Sequence, residues 1–208
     1  MHDPASTNPV DPALSAHASL QAPWRMQYLM NIADDDRARA GGHEQAVATG
    51  GMTSPAPSSG SFIRDYWLAP HLDTANHVIV RTHLGMVFLN AFPYSNGHLL
   101  VALGDARGRL LDYDPEQRAA LWRLTDLATD LTELTLQPQG VNIGVNQGRA
   151  AGAGVPQHLH VHVIPRWGGD TNFITTVGRV RVIPASLEVM AQRYRAAWAT
   201  LSPKWVES

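Results

Sequence analysis

Apolar positions cluster tightly from residue 62 onward and thinly before it. Residues 77–81 and 86–90 are short apolar runs around a His-Leu-Gly turn, which predicts two strands. Residues 97–103, GHLLVAL, predict a third. Asp114-Pro115-Glu116-Gln117 reads as a helix start. Asp caps, Pro fits the first helical position, and Glu favours the positive end. Leu121, Leu124, Ala128, Leu131 and Leu134 then recur at helical spacing, and Pro138 and Gly140 are expected to close that helix. Residues 140–146 and 158–164 predict two more strands, joined by the Gly/Ala-rich loop QGRAAGAGVP. A last helix is expected from near Pro184, with Leu187, Met190, Tyr194, Trp198 and Leu201 on one stripe. The sum is an α+β fold with a five-stranded, mainly antiparallel sheet and two main helices.

The first 61 residues read differently. Residues 1–20 are small, polar and Pro-containing, as a mobile tail would be. Residues 22–29, APWRMQYL, are dense in large side chains and are expected to dock on the core or on a partner subunit. Residues 37–61 are mostly Ala, Gly, Ser, Thr and Pro. They cannot bury enough apolar surface to offset their ordering entropy, so a flexible insertion or linker is expected. The division is therefore a flexible stretch over 1–61 and a folded domain over 62–208.

Composition narrows the function classes. A chain of 208 residues, 44% apolar and 16% charged, suits one globular domain. It has no cysteine, which excludes disulfides, thiolate catalysis and zinc sites that need sulfur. A net charge of −2 leaves no basic surplus for a nucleic-acid backbone. No apolar run nears the roughly 20 residues of a membrane helix, and the N-terminus lacks a secretory pattern. A cytoplasmic protein without nucleic-acid or membrane partners is expected.

The sharpest feature is QHLHVHVIPRW, residues 157–167. His158, His160 and His162 alternate with Leu159, Val161 and Val163. Successive strand side chains point to opposite faces, so the three imidazoles share one face. One metal ion held by all three is disfavoured. Residues two apart on a strand lie about 7 Å apart, whereas zinc–nitrogen bonds are about 2 Å. The favoured reading is an anion site with a nucleophilic imidazole. A neutral His attacks phosphorus if its other nitrogen is held as a donor, and its neighbours donate to phosphate oxygens or to a leaving group. Glycines in the preceding loop let backbone N–H groups approach a phosphate.

His158-Leu-His-Val-His-Val-Ile resembles the signature of the histidine-triad (HIT) superfamily of nucleotide hydrolases and transferases. The likeness covers roughly residues 62–175. Residues 146–173 are most similar to the bacterial branch of diadenosine tetraphosphate phosphorylases and ATP adenylyltransferases. The resemblance implies a homodimer whose two five-stranded sheets join into one of ten strands. It implies that His160 attacks the α-phosphate of a purine dinucleoside polyphosphate and forms a nucleotidyl-histidine. Water, phosphate or another nucleotide then takes the group. His162 would contact phosphate and assist the leaving group, and His158 would support the polar network. Asn90 matches the ribose position and Phe88 an apolar position beside the base. His98 opens the third strand near them. Gln147 matches a phosphate-contacting position, yet Asn146 is its neighbour and a strand shows only one of the two to the site, so both stay open. No tightly bound cofactor is implied beyond Mg2+ arriving with the polyphosphate.

Three departures shape the expectation. Many relatives have Ser or Thr where Val155 stands, so backbone N–H groups of Gly154 and Val155 would replace the hydroxyl. Many carry a Cys/His zinc knuckle, which a chain without cysteine cannot build. The third histidine is kept, which disfavours the uridylyltransferase branch. The alternatives are a catalytically weak nucleotide sensor, or a hydrolase of other nucleotide conjugates such as phosphoramidates.

Overall fold

The computed structural model describes residues 60–171, 177 and 182–206. The tail, the segment 22–29 and the insertion 37–61 lie outside the described residues, except for Gly60 and Ser61. Among the described residues the elements run α1 (Phe62–Leu68), β1 (Val78–Arg81), β2 (Gly85–Leu89), β3 (Leu99–Leu103), α2 (Pro115–Leu136), β4 (Gly140–Val145), β5 (Val161–Arg166) and α3 (Leu187–Val206). Short 3-10 turns sit at Pro70–Leu72, Leu110–Asp112 and Arg149–Ala151. The sheet order is β1-β2-β3-β5-β4, and every pair is antiparallel.

Each face of the sheet has its own cover. On one face, Val87, Leu89, Leu99, Val101, Val161 and Val163 pack against α2 and α3. On the other, Val78, Met86, Phe88, Leu100 and Ala102 pack around Ile63 of α1. Seven-residue α1 covers part of that second face, and a cavity lies beside it.

The α2 start agrees with the sequence. The Asp114 carboxylate accepts from Gln117 N–H at 2.8 Å, the Gln117 side chain returns the bond, and Pro115 stands at the first position. Its end also agrees with the sequence. The helix stops at Leu136, and Gln137 takes a left-handed conformation with φ 46°, ahead of Pro138 and Gly140. Leu121, Leu124, Ala128 and Leu131 are buried as expected, but Leu134 is exposed and Leu127 and Thr132 are buried. The last helix starts at Leu187 rather than near Pro184, because the Ser186 hydroxyl accepts from Val189 N–H at 3.3 Å. Its Met190 and Tyr194 are buried against α2 and the sheet.

Helix α1, absent from the sequence expectations, is held at both ends. Ser61 caps it, and the Arg64 guanidinium donates to the Gly104 carbonyl. At its end, Arg81 donates to the Tyr66 carbonyl at 2.9 Å and the Trp67 carbonyl at 3.1 Å. The Trp67 ring lies so close to Gly104 that a Cβ there would meet it at 2.1 Å. Gly104→Ala is therefore expected to cost about 1–3 kcal/mol through overpacking. A urea titration checks this, and a variant as stable as the parent would contradict the close fit.

Candidate active site

A cavity of about 390 Å³ opens beside α1 on the sheet face away from α2 and α3. Its walls include Phe88, Asn90, Gly154, Val155, His160 and His162, six of the residues singled out in the sequence. Phe62 and Tyr66 of α1 also line it. With Phe88 they form an edge-to-face trio whose ring centroids lie 5.3–6.4 Å apart. Sequence reading missed Phe62 and Tyr66, although Ser61 ahead of Phe62, Ile63 and Tyr66 is a cap followed by helical apolar spacing.

The three triad histidines are almost wholly buried, at 0%, 5% and 6% exposure. They do not all lie on the β5 ladder. The ladder begins at Val161, and Leu159 N–H leaves it to donate to the Arg107 carbonyl at 2.7 Å. His158 therefore turns under the end of β3. Its Nε2–H donates to the Leu103 carbonyl at 2.8 Å, and its Nδ1 accepts from the Ser61 hydroxyl at 3.0 Å. Both nitrogens are thus occupied within the protein. His160 points into the cavity, and its Nδ1–H donates to the His158 carbonyl at 2.9 Å. That bond fixes the tautomer and leaves the Nε2 lone pair for a ligand.

A fourth imidazole extends the row. The Nδ1 of His98 accepts from Tyr94 N–H at 3.1 Å and lies 3.3 Å from the Asn90 amide nitrogen. Its Nε2–H then faces His162 Nδ1 at 3.0 Å. The neutral His162 consequently carries its proton on Nε2, which is buried without a hydrogen-bond partner among the described residues. Tyr94, also missed in the sequence, stacks on His162 at 5.6 Å with an 18° tilt. His98 itself is fully buried and touches the cavity-lining residues His162, Asn90 and Tyr94.

The structure brings neither Asn146 nor Gln147 into the wall of this cavity. Gln147 Oε1 accepts from Leu110 N–H at 2.9 Å, and the Asn146 amide lies beside Gly152, which lines the cavity. A larger cavity of about 610 Å³ adjoins across Tyr94, with Asn142, Ile164, Arg166 and Trp167 in its wall. Arg166 is tied there to Asp170 at 2.6 Å and Asn142 at 2.6 Å. Among the described residues no group of three His, Asp or Glu is placed to hold a metal ion. His158, with both nitrogens engaged, has none to offer one.

A HIT domain model matches residues 72–169. The chain belongs to the HIT family. It is 38% identical over 143 residues to AP-4-A phosphorylase of Mycobacterium tuberculosis, spanning 68% of this chain and 73% of that one. It is 36% identical over 95 residues to the asymmetrical bis(5'-nucleosyl)-tetraphosphatase of Schizosaccharomyces pombe, spanning 46% of this chain and 52% of that one. Among solved structures it superposes on a zinc-bound histidine triad family protein of Mycobacterium smegmatis with TM-score 0.56 and 27% identity, covering 67% of this chain and 96% of that one.

Burial sets the protonation of the site. Desolvation holds His158 and His160 below the ordinary imidazole range and pushes His162 down to about 4. The unfolded chain therefore binds protons at a higher pH than the folded one. The stability from these neutral rings is complete above an ordinary imidazole value of 6.5 and is lost as pH falls toward 4. In the free protein, an NMR titration should find His162 protonating near pH 4, with the melting temperature falling over the same window. A His162 midpoint at or above 6.5 would refute this.

Proposed function

We propose that this HIT-family enzyme cleaves the α-phosphate bond of a purine dinucleoside polyphosphate of the diadenosine tetraphosphate type. One observation carries the reading. His160 is buried with Nδ1–H locked on a backbone carbonyl, beside a His162 Nε2–H that has no partner among the described residues. The first ring is poised as a nucleophile and the second as a donor.

In the first step His160 Nε2 attacks the α-phosphorus. A P–N bond forms and the P–O bond to the polyphosphate breaks. His162 Nε2–H donates to the departing oxygen. In the second step an acceptor oxygen attacks phosphorus, breaks the P–N bond and frees His160. The relatives named AP-4-A phosphorylase and tetraphosphatase support a dinucleotide substrate, and the first supports phosphate as the acceptor. The trio of Phe62, Tyr66 and Phe88 suits the base, Asn90 the ribose, and the N–H groups of Gly154 and Val155 the phosphate. The adjoining cavity beyond Tyr94 gives the distal half of the substrate a place. Magnesium ion would enter as the counter-ion of the polyphosphate.

An exposed sheet edge supports the reading of a homodimer. β1 is buried, and Arg195 donates to its Val78 carbonyl at 3.1 Å, whereas Asn142, Ile143 and Gly144 of β4 are exposed. A second copy pairing along β4 would give the ten-stranded sheet.

With diadenosine tetraphosphate and magnesium, products resolved by chromatography should be ADP and ATP, and only when inorganic phosphate is present. AMP and ATP formed without phosphate would overturn the acceptor. His160→Ala should lower turnover by roughly a thousandfold or more while AMP still binds. Sedimentation should give a dimer for the parent chain and a monomer for Ile143→Lys. A parent chain that sediments as a monomer would dismiss the joined sheet.

A further inference from the structure

Ser61 lies 97 residues from His158 in sequence, yet its hydroxyl meets that ring in a buried contact of 3.0 Å. Ser61 itself is 2% exposed. The contact has a definite polarity. Leu103 O accepts at 2.8 Å and requires the proton of His158 to sit on Nε2. Nδ1 is then a lone pair, and the hydroxyl must donate to it. The same hydroxyl oxygen accepts from Arg64 N–H at 3.4 Å as the cap of α1. The carbonyl of His158 in turn receives Nδ1–H of His160.

We propose that Ser61 is a positioning residue for His160. Its hydroxyl holds the His158 ring in one tautomer and one orientation, and the peptide of His158 thereby holds the His160 ring. The proposal rests on the reading of His160 as nucleophile. It also joins two halves of the site. Ser61 caps the helix that brings Phe62 and Tyr66 to the cavity, so the walls for the base and the ring that attacks phosphorus share one buried contact.

The neighbouring side-chain donors are placed on other acceptors. The Arg64 guanidinium is placed on the Gly104 carbonyl. Gln157 donates to the Gly60 carbonyl. Without the hydroxyl, Nδ1 of His158 is a buried acceptor with nothing to accept. The ring is then free to turn and exchange its proton between nitrogens.

The test uses the full chain with diadenosine tetraphosphate, magnesium and inorganic phosphate. Ser61→Ala should lower kcat about ten- to a hundredfold, the scale set by a small misplacement of a reacting group. Nitrogen-15 NMR should show His158 losing its single Nε2–H tautomer. Ser61→Thr, which keeps the hydroxyl, should restore both. A role confined to capping α1 predicts something else: a raised KM at unchanged kcat, with the His158 tautomer as in the parent. That result overturns the proposal. Should the Thr methyl not fit, the tautomer in Ser61→Ala decides alone. His160→Ala run alongside separates the two readings. If it is inactive while Ser61→Ala keeps the parent kcat, only the role of Ser61 falls. If it keeps full turnover, the nucleophile reading falls and Ser61 falls with it.

Discussion

Burial disfavours charge on His158, His160 and His162, and most of the local structure follows from that constraint. A buried neutral imidazole has one donor and one acceptor, and each must be matched or aimed at a ligand. His158 is matched twice, by Leu103 O and by Ser61. His160 is matched once, at Nδ1, and His162 once, at Nδ1. The two unmatched functions are a lone pair on one ring and a proton on the next, with ring centroids 4.9 Å apart. Nucleophile and donor thus arise from hydrogen-bond accounting in a dry site.

The fold supplies that dryness unequally on its two sides. Helices α2 and α3 seal one face of the sheet with aliphatic side chains. On the other face the short α1 closes one end only, held by Arg81 at its last carbonyls and by the Trp67 ring on Gly104. His160, just before β5, and His162, on it, are buried and still border the cavity. Gly97, at φ +80°, permits the turn that places His98 behind His162. The Tyr194 hydroxyl donates to the Gly97 carbonyl at 2.7 Å and ties that turn to α3.

Much of this was legible in the sequence for local reasons. The five strands and two long helices follow from period and caps, which are properties of neighbouring residues. The alternation of His158, His160 and His162 announced a shared chemistry. Its detail was not legible, because it depends on where the β5 ladder begins. Leu159 pairs with Arg107 rather than with β3, and no local pattern encodes that choice. Gln147 was lost to the cavity for a similar reason, a bond to Leu110 from 37 residues away. Ser61 fell within a Ser- and Gly-rich stretch whose composition hid its role, and the contact partner lies far along the chain. Tyr94 and Tyr66 carried no signal of their own. Their meaning comes from the rings they touch.

The cavity beside His160 is lined by no charged side chain among the described residues. The proposed polyphosphate substrate is strongly anionic, and the described lining offers it neutral N–H donors from imidazole, amide and backbone. Neutral donors fix direction more than they supply raw attraction. Arg166, the cation of the neighbouring cavity, is already neutralised by Asp170. Most of the substrate's charge would therefore have to travel with its own counter-ion, which is the physical reason to expect magnesium with the substrate rather than in a protein-built site. The same economy favours reaction over tight binding. An uncharged nest does not hold the ground-state polyphosphate strongly, and the partnerless His162 Nε2–H serves best when negative charge builds on the departing oxygen.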